Sequence, residues 1–361
     1  MSPTPLSDMP SVTALAERLA AAPWIALDTE FLRERTYRPQ LCLLQLATPD
    51  EALCIDPLAD VALEVLAPAL AGGAAPKILH AARQDLEVLW PVFGAITPIF
   101  DTQVAAGLTG MPAQIGYSEL VRRVLGVELD KGQTRTDWSK RPLSEAQLRY
   151  AIDDVRHLAG LRDALLEELD RLGRLAWLGE ELHELARADR LFIDPEKAYE
   201  RLRWHAELDQ ERARLLQKLA AWREQRAMDK NRPRSWIVDD AGLRSLTIRA
   251  PRNEEQLARI EDLTPGFVER SGGAILALIN EAGLPAVLPP LPQRERPDPE
   301  LQARVKRLAG IVQQRASELA LAPEVLATRR ELESIARGET TAEVLAGWRR
   351  ETVGVQLLAA D

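Results

Sequence analysis

The chain has 361 residues, of which 46% are hydrophobic and 28% are charged, and its net charge is −9. This composition is that of a folded protein. With no apolar run near the ~18 residues of a membrane span, it excludes a transmembrane helix. The length predicts two or three domains. Its first residues do not resemble a signal peptide, and Cys42 and Cys54 do not have the spacing of a metal site, so we expect a cytoplasmic protein with reduced thiols.

The charge is distributed unevenly along the chain. Residues 1–205 hold 22 Lys and Arg against 31 Asp and Glu, a balance of −9, whereas residues 206–361 hold 24 of each. Within the second part, residues 211–234 hold 8 basic and 3 acidic residues. Because local charge decides what a surface attracts, this basic segment is a candidate surface for RNA capture.

A helical pattern in the basic segment predicts how its cations are arranged. Arg212, Arg223 and Arg226 would share one side of a helix, and further cations would lie in the loop beside Pro233. The alternative is an ordinary solvated face with ion pairs inside the helix. The cations of the segment are Arg212, Arg214, Lys218, Arg223, Arg226, Lys230, Arg232 and Arg234.

The first ~170 residues alternate short apolar runs with helical patterns. Five runs predict strands: WIALDTEF (24–31), LCLLQLAT (41–48), EALCIDP (51–57), KILHA (77–81) and TPIFD (97–101). The first three follow each other closely and should pair antiparallel, whereas each of the last two follows a helical pattern and should be parallel. Further helices are predicted at 102–109, 116–125 and 144–169. The pattern indicates an α/β domain with a mixed five-stranded sheet and flanking helices.

Strand signals stop after about residue 170, and helical patterns cover 174–190, 196–228 and most of the chain to 282. Residues 282–300 contain six prolines, which predicts a semi-extended linker. A last helical block follows. We divide the chain into domains at 1–205, 206–288 and 301–361, with a Pro-rich linker at 289–300.

The two helical blocks resemble each other at a shift of 89 residues. QRAMDKNRPRSWIVDDAGLRSL (225–246) aligns with QRASELALAPEVLATRRELESI (314–335), and the apolar residues of the two segments coincide. Both segments carry a proline near the middle. We therefore expect an internal repeat.

Asp28 and Glu30 end the first predicted strand. Side chains two residues apart in a strand face the same way, at ~3.3 Å of rise per residue. Two like charges beside a core raise each other's pKa and lose hydration unless a positive group lies between them. The alternative is an exposed strand end with solvated acids.

A third acid, Asp85, lies at the start of a predicted helix beside its apolar side. The alternative is a first-turn acid that the helix dipole favours. In the same stretch, His80 should be packed or hydrogen-bonded rather than bound to a metal. Asp101 should cap the helix that follows it.

The stretch LSEAQLRYAIDDVRHLAGL predicts a helix that begins with a capping box at Ser144. Tyr150 and Asp154 are four residues apart, so they share one face of this helix. Asp153 is 60° away from that face, and geometry alone does not choose between the two acids. The alternative is a partly exposed Tyr with two solvated acids.

The segments DTEF, HAARQDL and YAIDDV together resemble the three motifs of the DEDD exonuclease superfamily, which holds two divalent ions with four acids in an RNase H-like fold. The tyrosine is similar to that of the Tyr subclass, because the His subclass would have histidine in place of Arg149. Residues 130–158 resemble the ribonuclease D family. The helical blocks resemble the HRDC domain, which occurs twice in many bacterial members. The resemblance covers nearly the whole chain.

The resemblance implies a fold and catalytic roles. The fold would be an RNase H-like exonuclease domain followed by two all-α HRDC domains. Asp28, Glu30, Asp85 and Asp154 would be the ligands of two Mg²⁺ or Mn²⁺ ions, and Tyr150 would position the attacking water. Four carboxylates and two divalent ions make a neutral cluster. Nucleoside 5′-monophosphates would leave from the 3′ end of RNA, with tRNA precursors as the usual substrate.

Five further residues are candidates for contacts with the terminal nucleotide: His80, Gln84, Tyr117, Lys131 and Gln133. Lys131 would meet phosphate, Tyr117 would stack on a base, and Gln84 would touch sugar hydroxyls. Each has an alternative as a surface or packing residue. Trp138 is expected to pack, and Arg141 to pair with an acid or with phosphate.

The leading prediction is a monomeric 3′–5′ exoribonuclease that trims structured RNA. The alternative is a 3′–5′ DNA exonuclease with the same metal chemistry, because the sequence does not show whether the site recognises the 2′-hydroxyl that distinguishes RNA from DNA. A non-catalytic nucleic-acid-binding protein is a third possibility. Loss of any of the four acids would have favoured it, and all four are present.

Overall fold

The computed structural model describes residues 4–130, 136–283, 285 and 298–360. The chain forms two compact units. The nuclease unit contains residues 1–32, 41–191 and 297–361, and the helical unit contains residues 33–40 and 192–296. None of the helices in the described ranges is long and apolar enough to cross a membrane.

A five-stranded sheet is the centre of the nuclease unit. Its strands are β1 Ile25–Leu32, β2 Gln40–Ala47, β3 Ala52–Ile55, β4 Lys77–Leu79 and β5 Ile99–Asp101. Their order is β3-β2-β1-β4-β5. β2 and β3 are antiparallel, whereas β4 is parallel to both β1 and β5. This confirms the predicted mixed five-stranded sheet.

Helices flank this sheet. They are α1 Met9–Ala21, α2 Ala67–Leu70, α3 Arg83–Phe93, α4 Thr102–Leu108, α5 Tyr117–Leu125, α6 Glu145–Arg156, α7 Leu158–Arg171, α8 Leu175–Leu185 and α9 Ala188–Leu191, with a 3₁₀ turn at Leu63–Leu66. The helix predicted over 144–169 is two helices that meet at His157. Helix α1 was missed, although Asp8 caps it and Pro10 lies in its first turn, both of which are sequence signals of a helix start.

Alternation along β1 directs its acids to one side of the sheet. Ile25 and Leu27 pack into the core cluster that includes α1 and α3. Ala26 packs into the cluster on the other side, with α4 and α7. Because strand side chains alternate, Asp28 and Glu30 continue the face of Ala26.

The helical unit has a core of its own. Its helices are α10 Gln210–Asp229, α11 Arg234–Ile237, α12 Asp240–Arg249, α13 Glu254–Ala258 and α14 Pro265–Glu281, preceded by 3₁₀ turns at Pro195–Arg201 and Arg203–Glu207. Leu215, Leu219, Leu246 and Ile275 are completely buried in it. The long helix begins at residue 210, not at 196 as predicted, because Asp209 caps it there.

The last helical block repeats the start of the helical unit. Its helices are α15 Pro299–Leu319, α16 Pro323–Leu326, α17 Arg329–Ala336, α18 Gly347–Arg349 and α19 Val355–Ala360. α15, α16 and α17 begin 89 residues after α10, α11 and α12, the shift found in the sequence. Its apolar side chains, however, join the core cluster of α4 and α7. Arg174 links the two by donating hydrogen bonds to the carbonyls of Leu108 and Leu319.

The last block therefore belongs to the nuclease unit, and the helical unit begins at Phe192. Whether the last block is a second HRDC domain, and where the domain boundaries lie, remain predictions. Most of the proposed linker lies outside the described residues.

Candidate active site

Three carboxylates from two elements of the nuclease unit meet at one point. Asp28 and Glu30 come from β1, and Asp154 comes from α6. One carboxylate oxygen of each lies within 4.8 Å of the others. The predicted capping box of Ser144 and Gln147 fixes the start of α6, and Asp154 lies less than three turns further along.

The fourth acid, Asp85, lies in the first turn of α3 and is 7% exposed. The Thr29 hydroxyl, between Asp28 and Glu30 in the sequence, donates a hydrogen bond to the Asp85 carboxylate. No sequence pattern distinguishes Thr29 as a donor to Asp85. Asp85 therefore lies beside the other three acids but is held by its own contact.

Asp101 holds the start of the helix that carries Asp85. It caps α4, as predicted. The same carboxylate also accepts hydrogen bonds from the N–H groups of Ala81 (3.1 Å) and Ala82 (2.8 Å), immediately before α3. Ala81 has a φ of 56°, a strained conformation for alanine that these bonds stabilise. This second role was missed, because the capping pattern predicts only local contacts.

Burial and mutual repulsion govern the electrostatics of the four acids. Burial raises the pKa of Asp28 to about 7. Burial and the charge of Asp28 raise the pKa of Asp154 to about 8. Burial and the other three carboxylates raise the pKa of Glu30 to about 9, and burial and Asp28 raise that of Asp85. In the part of the chain that the structure describes, no lysine or arginine forms an ion pair with these acids.

This donor set fits a divalent cation. It consists of carboxylate oxygens alone, which suit hard ions such as Mg²⁺ and Mn²⁺. The four carboxylates also carry a large negative charge at pH 7 unless bound protons or an external cation compensate that charge. The site has the chemistry of a metal centre.

Two tyrosines lie beside Asp154. The Tyr150 hydroxyl hydrogen-bonds to the Asp154 carboxylate, and burial and the nearby acids raise the pKa of Tyr150. The Tyr117 hydroxyl donates to the backbone carbonyl of Asp153, at 2.9 Å. Both tyrosines and Asp154 line a cavity of about 470 Å³. The Asp153 carboxylate instead pairs with Arg156 at 2.9 Å, so Asp154 is the member of the pair that joins the acid cluster.

Comparison with known proteins identifies the family. Residues 4–170 match the 3′–5′ exonuclease family and residues 212–279 match the HRDC domain. Ribonuclease D of Granulibacter bethesdensis is 40% identical, with 99% of this chain and 92% of that protein covered. Ribonuclease D of Nitrobacter hamburgensis is also 40% identical, over 99% of this chain and 94% of the relative. The chain belongs to the ribonuclease D family.

The solved structures agree with this assignment. The crystal structure of Escherichia coli RNase D, described as an exoribonuclease involved in structured RNA processing, superimposes with a TM-score of 0.87 at 30% identity, covering 100% of this chain and 98% of that one. The predicted family, the exonuclease fold followed by an HRDC region, and the activity are therefore confirmed. The chain is a 3′–5′ exoribonuclease of the ribonuclease D family.

The predicted nucleotide contacts have different surroundings in this ribonuclease D fold. His80 has both ring nitrogens engaged, Nδ1 with the Thr102 hydroxyl at 2.9 Å and Nε2 with the Ile115 carbonyl at 3.1 Å. Its ring lies 5.5 Å from that of Tyr117. Gln84 is exposed in the first turn of α3. Lys131 and Gln133 lie outside the described residues.

Two further side chains support the fold. Trp138 is 4% exposed and packs beside Tyr150, as expected. Arg141 pairs with Asp56 at 2.6 Å and donates to the Cys42 carbonyl, so of its two predicted partners the acid is the one it meets. Cys42 and Cys54 are buried free thiols, as predicted.

The prediction that one side of α10 forms a basic surface is wrong for two of its three arginines. Arg212 is 5% exposed and pairs with Asp209, and Arg223 is 6% exposed and pairs with Asp240 at 2.7 Å. Arg226 is half-buried. Helical periodicity placed these residues on one face correctly, but that face packs inside the helical unit because acids there neutralise its guanidinium groups.

Proposed function

We propose that the chain hydrolyses RNA from its 3′ end with two divalent ions, Mg²⁺ or Mn²⁺, and releases nucleoside 5′-monophosphates. We further propose that it acts as a monomer on structured RNAs, tRNA precursors among them. The observation that carries the proposal is the convergence of Asp28, Glu30 and Asp154 within 4.8 Å, beside Asp85 and without a cationic partner in the described residues.

Each residue of the site then has a role. Asp28, Glu30, Asp85 and Asp154 would hold the ions. When bound, the ions would supply the acidity that makes a water nucleophilic and would stabilise the leaving 3′ oxygen. The Thr29 hydroxyl orients Asp85, and Asp101 fixes the helix start that presents it. An acid held in this way keeps its ligand geometry before the substrate arrives.

Tyr150 would position the attacking water. A tyrosine phenol keeps its proton at neutral pH, and burial and the nearby acids raise the pKa of Tyr150 further, so its hydroxyl remains a hydrogen-bond donor. It therefore orients a nucleophile rather than removing a proton from it. Its neighbour Asp154, one turn away, lines the same cavity.

The cavity beside Asp154 is the proposed place of the terminal nucleotide. Tyr117 is fixed by its bond to the Asp153 carbonyl, so it offers a ring face of set orientation for a base. The His80 ring supports Tyr117, whereas the two His80 nitrogens are already engaged by protein atoms. We therefore propose Tyr117 as the stacking residue and His80 as its support.

The experiment compares a tRNA precursor, a single-stranded RNA and a DNA of the same sequence, each labelled at the 5′ end, with Mg²⁺, Mn²⁺ or EDTA. Stepwise shortening of the RNAs, with release of nucleoside 5′-monophosphates seen by mass spectrometry and no cleavage in EDTA, is the expected result. Full activity in EDTA, nucleoside 3′-monophosphates as products, or faster cleavage of DNA would contradict the proposal. Light scattering of the same sample tests the monomeric state.

A further inference from the structure

The loop between β1 and β2, residues 33–40, is anchored inside the helical unit. Glu224 of α10 is 1% exposed and accepts hydrogen bonds from the Tyr37 hydroxyl and from the Arg234 guanidinium, at 2.5 and 2.6 Å for the latter. The Arg234 guanidinium also lies 4.8 Å from the centre of the Tyr37 ring. A buried network in which every member is satisfied is rigid.

This anchor brings the loop to the turn that follows α10. The backbone N–H of Arg38 donates a hydrogen bond to the Asn231 side chain, at 3.0 Å. Asn231 itself has a φ of 47°, as expected for a residue that reverses the chain after a helix. Two stretches almost 200 residues apart in the sequence therefore share one surface.

The shared surface carries exposed cations and an exposed aromatic ring. Lys230 and Arg232 flank Asn231, and both side chains are exposed, as is Arg38. Trp236 is 53% exposed, and among the described residues it is the one tryptophan whose side chain is mainly exposed. The Arg232 guanidinium lies 5.5 Å from the centre of the Trp236 ring. We call Arg38, Lys230, Arg232 and Trp236 the tryptophan platform.

The platform differs from the buried face of α10 in its ionic partners. Arg212 and Arg223 are neutralised by Asp209 and Asp240. By contrast, no ion pair joins Lys230 or Arg232 to an acid within the described ranges. An unpaired positive surface that also exposes a large ring attracts a polyanion that has flat apolar groups.

We propose that the tryptophan platform binds single-stranded RNA, with one base stacked on Trp236 and phosphates held by Arg38, Lys230 and Arg232. The proposal rests on the proposed function only in taking RNA as the substrate. Stacking suits this site because every base has a π-face, and because the Trp236 ring already packs beside the Arg232 guanidinium. The platform replaces the buried side of α10 as the capture surface of the helical unit.

The test measures binding of a fluorescently labelled 20-nucleotide RNA to the full-length protein by anisotropy in EDTA, with a gel to verify that the RNA stays intact. Trp236→Ala should weaken binding about tenfold, and Trp236→Phe should recover most of the loss. Lys230→Gln and Arg232→Gln should each reduce the slope of log affinity against log salt by about 0.7. Lys218→Gln is the matched control, since Lys218 is an exposed cation of α10 outside the platform.

A second readout separates this proposal from the proposed function. Hydrolysis of an RNA trinucleotide by the wild-type protein in Mg²⁺ tests the acid cluster independently of the affinity measurement. If the wild-type protein did not hydrolyse the trinucleotide, the proposed function would be contradicted. The comparison of RNA affinities between wild type and the platform variants would not be affected. If Trp236→Ala and Arg232→Gln bound the 20-mer as tightly as wild type, with the same salt slope, the platform would serve another partner and the proposal would be overturned.

Discussion

Buried acids occur in both units of the molecule, and their partners differ. In the helical unit, Glu224 receives hydrogen bonds from Tyr37 and an ion pair from Arg234, so its negative charge is balanced within the protein. In the nuclease unit, Asp85 is buried and Asp28 is half-buried beside other acids, and loss of hydration raises the pKa of each. The first arrangement stabilises a fold, whereas the second costs stability unless a cation is added.

The difference separates structural acids from functional ones without reference to any relative. A structural acid has its counter-charge built into the chain, because an unpaired buried charge is expensive. An acid cluster that lacks this counter-charge is retained for a ligand that supplies it. The comparison therefore predicts opposite consequences when acids of the two kinds are neutralised.

The largest expected effect is loss of catalysis when one acid of the cluster is neutralised. Asp28→Asn should reduce the rate of RNA hydrolysis on the order of 10³-fold, because a bound ion supplies several kcal/mol of transition-state stabilisation. Single-turnover cleavage of labelled RNA measures the effect. Asp153→Asn is the matched control, since Asp153 pairs with Arg156 outside the cluster, and it should keep nearly full activity. Equal losses in both variants would refute the assignment of the cluster.

Removal of the Tyr150 hydroxyl should have the next largest effect. Tyr150→Phe keeps the ring that packs beside Trp138 but loses the hydrogen bond to Asp154. We expect kcat to fall on the order of 10²-fold with little change in RNA affinity, because a positioning contact is lost. An unchanged single-turnover rate would return Tyr150 to a packing role.

Neutralising the structural acid should destabilise the helical unit. Glu224→Gln leaves Arg234 without its counter-charge and should lower the free energy of unfolding by about 2 kcal/mol. Denaturant unfolding measures this loss. Glu255→Gln is the control, because its pair with Arg259 is exposed and should contribute less than about 0.5 kcal/mol. If the Glu224 variant were as stable as the control, Glu224 would not be a structural acid.

Neutralising a cluster acid should have the smallest effect on stability, with the opposite sign. In metal-free protein, Asp85→Asn should leave the melting temperature unchanged or raise it, since it relieves repulsion while an asparagine can still accept the bond from Thr29. A clear loss of stability without metal would make Asp85 a structural acid.

The same cluster sets a pH dependence. The folded pKa values of Asp28, Asp154 and Glu30, about 7, 8 and 9, are above those of unfolded chains, so the native state binds more protons. The stability of the metal-free protein should therefore fall as pH rises from about 4 to 9. Chemical unfolding across this range should show a shallower fall in Asp28→Asn. A fall of equal steepness in that variant would assign the dependence to other groups.

Local sequence rules predicted most of the nuclease fold. Strand alternation placed Asp28 and Glu30 on one face, helical spacing brought Tyr150 to Asp154, and the capping rules located the starts of α4 and α6. These features depend on residues close together in the chain, whose geometry is fixed by one period or one turn.

Contacts between distant residues were not predictable in the same way. The bond from Thr29 to Asp85 and the second role of Asp101 join elements whose packing no local pattern specifies. The helical repeat is the clearest case. Local patterns located its helices at a constant shift, but they did not show that only the first copy forms a core of its own. Likewise, periodicity grouped Arg212 with Arg223 but did not reveal the acids that bury them.

The acid cluster of the nuclease unit lacks only a cation. Thermal unfolding of wild type and Asp28→Asn at pH 8, in EDTA and in saturating Mg²⁺ or Mn²⁺, tests it most directly. The metal should raise the melting temperature of wild type by about 5 °C, because an ion that binds only the native state stabilises it by mass action, and should raise that of Asp28→Asn much less. A wild-type melting temperature that does not respond to either ion, or an equal rise in both proteins, would show that the four acids do not form a metal site.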